Sequence, residues 1–148
     1  MNDFFLDKFQ YTFDKNQEMI AYLVQNESEL NEKIKILISH ILNAHEIWTT
    51  RILKEATQFS VWQLHDYASL AKIDQDNFQR TKKILEEINL DERVDYITST
   101  SEAFSNVLNE ILFHIVNHSS YHRAQINSEL KSLKLNPLVT DYVFYKRQ

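Results

Sequence analysis

Glycine is absent from all 148 residues of this chain, and its single proline is Pro137. No other feature narrows the accessible folds as much. Glycine enters left-handed backbone almost without penalty, and it supplies the tightest hairpin turns. A chain without it lacks the usual residues for many sharp reversals, which argues for helices joined by polar loops. The Gly-rich loops that cradle dinucleotides and nucleoside phosphates are excluded outright.

The remaining composition says that such helices have something to bury. Hydrophobic residues make up 43% and aromatics 12%, with nine Phe and seven Tyr. The length suits one domain with a sizeable core, here taken as residues 1–148. Net charge is −5 and no basic run stands out, so a nucleic-acid partner is not expected. Cysteine is absent, which removes disulfides, thiolate metal ligands and a cysteine nucleophile together. The opening MNDFFLDKFQ is broken by acids and reads as neither signal peptide nor anchor. No uncharged apolar run approaches the ~20 residues of a membrane span. A cytoplasmic protein without a membrane partner is the expectation.

Periodicity divides the chain into four amphipathic helices. The first runs from about Asp3 to Asn26, with Phe5, Phe9, Phe13, Ile20 and Leu23 at helical spacing and Asn16 close to that stripe. Asn16 is read as a structural hydrogen-bonder in the core. Ser28 or Asn31 caps the second helix, about Glu32 to Ala56. A connector, TQFSVWQLHD at 57–66, carries an aromatic anchor in Trp62 and a surface or capping histidine in His65. The third helix spans about Tyr67 to Asn89. From Leu90 to Ala103 the pattern lapses into β-branched residues and serine, consistent with a short extended or hairpin-like excursion. Ser105 is the expected cap of a fourth helix from about Asn106 to Leu133. Asn136-Pro137 stops further helix, and the apolar tail is expected to pack back across the bundle.

The fourth helix carries histidines where core residues belong. On a wheel centred on Ile115, Leu108, Ile111, Leu112, Ile126, Leu130 and Leu133 fall within roughly 60° of the centre. His122 lies about 20° away, His118 about 60°, and His114 about 100°. His118 and His122 thus point inward from adjacent turns, about 6 Å apart along the axis, close enough to close on one ion. Spacing alone leaves two readings open: a shared metal, or core imidazoles bonded to carbonyls or carboxylates. The glutamate of H-E-x-x-H proteases is missing, which disfavours that class. A third ligand would come from another element; helix two offers His40 and His45, the connector offers His65, and a hydroxyl or carboxylate could also fill the role. Centred on Ile41, the second helix turns His45 inward, about 40° off centre, and leaves His40 at about 100°. Arg123, about 80° from the fourth-helix centre, is expected to pair with an acidic group.

Five segments together, FQYTFDKN, SHILNAHEIW, VWQLHD, HIVNHSSYHRAQI and PLVTDYVFY, resemble the DinB/YfiT-like superfamily of four-helix-bundle metalloproteins. The resemblance covers nearly the whole chain. It implies an all-α four-helix bundle and a divalent metal, zinc or nickel, held by three histidines. Carried onto this sequence these are His40, His118 and His122. The family often has an acidic residue where His45 stands, which removes His45 from the ligand set. Ala124 replaces a glycine common after the H-R pair, and Ser101 and Glu102 stand near another family glycine. Some relatives transfer low-molecular-weight thiols such as bacillithiol, mycothiol or glutathione to electrophiles, so a thiol S-transferase with a small-molecule substrate is the leading expectation. A metal-dependent hydrolase and a non-catalytic metal-binding interaction module are the alternatives. The resemblance also implies a homodimer.

Overall fold

The computed structural model describes residues 2–147 and is predominantly helical. Its long helices are α1 (Asn2–Gln25), α2 (Glu32–Leu53), α3 (Tyr67–Glu87) and α4 (Leu108–Ser132). A 3₁₀ turn, Glu27–Glu29, joins the first two. β1 (Arg93–Ile97) and β2 (Ala103–Val107) form an antiparallel hairpin between α3 and α4, and a short α5 (Tyr142–Tyr145) lies in the tail. Helix α1 packs on α3 and α4, and α2 packs on α3 and α4, which closes a four-helix bundle. No helix among the described residues is long and apolar enough to cross a membrane.

The core has two apolar halves separated by a polar waist. At one end Met19, Ile20 and Leu23 meet Ile34, Ile38, Leu70, Ile126 and Leu130. At the other, Phe5 and Phe9 meet Ile52, Phe78, Ile84, Leu108, Ile111 and Ile115. Between them Asn16, Asp74, Asn77, His45, Thr81, Ser119 and Arg123 are all buried. Burying such groups costs free energy unless they bond to each other. Asn16 does so twice: its Nδ2 donates to Asp74 at 2.8 Å, and its Oδ1 accepts from Arg123 at 2.8 Å. The arginine therefore reaches its acid through an asparagine relay rather than directly.

One of the two caps offered for α2 is used, and other helix ends differ from the sequence reading. Asn31, not Ser28, caps α2, accepting from the Ile34 N–H at 3.1 Å. Helix α2 stops at Leu53, short of Ala56, because Lys54 turns left-handed at φ 57°. Ser105 does not cap α4; it lies in β2, paired opposite Asp95. The α4 N-terminus is satisfied from outside instead: Leu108 and Asn109 donate to the Glu92 and Leu90 carbonyls, and Glu110 accepts from the Val107 N–H. The expected hairpin-like excursion is present, and its reversal is made without glycine. Lys54, Ser101 and Lys134 take positive φ without being glycine. Ser101, at φ 62°, closes the hairpin, with its N–H donating to the Thr98 carbonyl at 2.9 Å.

The tail packs along α1. Tyr142 and Tyr145 flank the Tyr11 ring at centroid distances of 5.2 and 5.4 Å. Tyr145 donates to Asp14 at 2.6 Å, and Lys146 pairs with Asp7 at 2.7 Å. Lys146, then Lys8 and Tyr142, hold the Asp7 carboxyl well below the usual carboxylate range.

Candidate metal centre

Histidines from two helices meet where the polar waist reaches the surface. His40 comes from α2, and His118 and His122 from successive turns of α4. The His118 Nε2 lies 3.1 Å from the His40 Nε2 and 3.1 Å from the His122 Nε2. One ligand atom from each residue lies within 4.8 Å of the other two. Two nitrogens held ~2.0–2.1 Å from one tetrahedral ion are roughly 3.3 Å apart, so the spacing is that of shared ligation.

The outer nitrogens decide which way the lone pairs face. The His40 Nδ1 lies 3.1 Å from the Val61 carbonyl and must donate to it, because a carbonyl only accepts. The His122 Nδ1 donates to the Gln125 side-chain oxygen at 2.7 Å. Both rings then present a bare Nε2 lone pair to the same point. Without a cation the His118 Nε2–H can donate to these lone pairs; with one, all three Nε2 atoms can turn to it as ligands. Such outer hydrogen bonds fix tautomer and ring orientation in metal sites. Burial, followed by the charges of His122, His40 and His114, pushes His118 down to about 3. Burial likewise lowers His40. Both are therefore neutral near pH 7, as ligation requires. The donor set fits a divalent ion.

The connector between α2 and α3 braces this cluster. Asn43 donates to the Val61 carbonyl at 3.3 Å and to the Gln63 carbonyl at 2.8 Å, and the His65 N–H donates to Ser39. The strap so pinned lays Trp62 flat on His40, with centroids 4.0 Å apart and planes at 11°. Trp62 is 61% exposed: it anchors on the His40 ring, not in the core. A cavity of about 350 Å³ opens beside the cluster, with His40, His118 and His114 on its wall.

The other histidines do different work. His45 is buried as the wheel requires, but away from the cluster. Thr81 donates to the Asn77 carbonyl at 3.0 Å, so its oxygen accepts from the His45 Nε2–H at 2.8 Å. Burial, with Arg80 secondary, holds His45 down at about 3. His65, read from the sequence as a surface or capping residue, is buried, with its Nε2 2.6 Å from the Asn43 Oδ1. His114 lies beyond His118, ring centroids 5.5 Å apart, outside the three-histidine group. The bracing role of Asn43 was missed in the sequence, although a polar residue one turn after His40 in an apolar run was its signal.

No curated protein matches the chain. The model of the DinB family matches residues 6–148. With a match that spans nearly the whole sequence, the chain belongs to the DinB family.

Proposed function

We propose that this protein is a divalent-metal enzyme that activates a small thiol for transfer to an electrophile, with zinc or nickel held by His40, His118 and His122. The observation that carries the reading is the opening of the three-histidine cluster onto a cavity. Three imidazole ligands leave a tetrahedral ion one position short, and here His40 and His118 face a space of about 350 Å³. A structural site would be closed. A divalent cation so held supplies positive charge that favours the deprotonated form of a thiol.

The chain's own groups do the rest. Val61 and Gln125 orient two of the imidazoles, and Trp62 shields the His40 ring from water. His114, kept neutral by burial, lines the same cavity and accepts the thiol proton. The sulfur then attacks the electrophilic carbon, forming the C–S bond as the leaving group departs with its electron pair. The test is intact-mass and product analysis of metal-loaded protein given bacillithiol, mycothiol or glutathione with an alkylating electrophile. The proposal expects metal-dependent S-conjugates that fall at least tenfold in His114→Ala; conjugation at the uncatalysed rate with every thiol would overturn it.

A further inference from the structure

The cavity beside the histidines has a second chemical feature at its far end. Arg51 lies on α2 eleven residues beyond His40, and its guanidinium is held over Trp48 at 4.9 Å and near Tyr96 at 5.3 Å. It lines the same cavity as His40 and His118. A guanidinium has five N–H donors. Here one is used, by the Ile97 carbonyl at a long 3.3 Å. No carboxylate of a described residue lies within 4 Å of it, although Glu87, Glu92 and Asp95 line the neighbouring cleft that Arg51 also borders. Holding a charge half-buried without an anion is costly, and a fork with free donors matches a carboxylate in shape.

The wall of this cavity is mostly apolar, with Trp48, Ile47, Val61 and Phe104 on it and Thr98 and Ser99 as its hydroxyl-bearing members. Tyr96 is locked by its hydroxyl, which donates to Asn106 at 2.8 Å, and Trp48 meets it edge-on at 4.9 Å. Ala44 and Ile47 complete the floor along α2. Trp48, over which the guanidinium sits, is eight residues along α2 from His40, ~12 Å along the helix axis.

We infer that Arg51 is the anion anchor of this cavity, and that the substrate it selects is a small molecule with an apolar or aromatic body ending in a carboxylate, held with its other end toward the histidines. The inference rests on the proposed function only for which end reacts; the anchor itself needs no metal.

The test is therefore made on metal-free protein, where a carboxylate has no cation to ligate. ¹⁵N-labelled wild type, Arg51→Gln and Arg51→Lys are titrated with 3-phenylpropionate and with its neutral amide, following the two indole N–H signals assigned through Trp62→Phe. Wild type should bind the acid at least tenfold more tightly than the amide, with the shift on Trp48. Arg51→Gln should lose that preference, and Arg51→Lys should keep part of it. Equal binding of acid and amide by wild type, no binding of either, or an undiminished preference in Arg51→Gln would overturn the anchor. If thiol transfer fails while the acid preference stands, the reaction was misread and the anchor remains. If the preference fails while transfer stands, the reverse holds.

Discussion

Single residues show why two histidines of one helix face inward for different reasons. His45 satisfies the wheel: it is buried, bonded to Thr81, and set against Phe9 with ring centroids 5.6 Å apart. His40 sits at the edge of the same arc, where a side chain can reach α4 across the groove. A wheel reports the distance from the core centre, but a metal shared by two helices lies off that centre. The distinction has a consequence for acid stability. His45 folds with a pKa of about 3 against an ordinary 6.5. Its contribution is complete above pH 6.5 and is lost as pH falls toward 3, because the unfolded chain takes up a proton that the folded one refuses. Asp74 acts oppositely: burial raises it to about 6, so its contribution is complete below about pH 3.8 and lost as pH rises through 6. Urea unfolding of metal-free protein between pH 6.5 and 4 should therefore show a smaller proton uptake, by about one, in His45→Asn than in wild type. An unchanged slope would mean that His45 is protonated in the fold.

At the scale of elements, the helices were legible because their apolar residues recur at helical spacing, and the ends were not. Ser105 looked like a cap, yet the fourth helix begins three residues later. The reason is tertiary: loop carbonyls of Leu90 and Glu92 take the first N–H groups, so no side-chain cap is needed. The hairpin was visible as β-branched sequence, but its turn was not, since Ser101 occupies a conformation that favours glycine. The same applies at Lys54, which ends α2 in left-handed backbone. Left-handed backbone costs a non-glycine residue roughly 1–2 kcal/mol, partly offset by the unfolded-state freedom that glycine would add. Lys54→Gly should thus stabilise the protein by about 0.5–1 kcal/mol in chemical denaturation. Destabilisation would show that the lysine side chain matters more than its φ.

Across the whole molecule, the polar waist links stability to the site. Arg123 follows His122 directly and is tied through Asn16 to Asp74, so α4 is fixed in rotation at the turn that presents the histidines. The sequence held the members of this arrangement: an asparagine in an apolar stripe, an arginine beside a histidine pair, and a histidine at an arc's edge. It did not hold their meeting, which depends on how α1, α3 and α4 pack. The strap was equally hidden, because nothing local marks the Val61 carbonyl as the partner of both His40 and Asn43. Under the proposed function His40, and not His45, joins His118 and His122 around one ion. Metal content after exhaustive dialysis, measured side by side on wild type, His40→Ala and His45→Ala that remain helical by circular dichroism, tests that claim most directly. One divalent ion per chain in wild type and His45→Ala, with loss in His40→Ala, is the predicted result; metal retained in His40→Ala and lost in His45→Ala would contradict it.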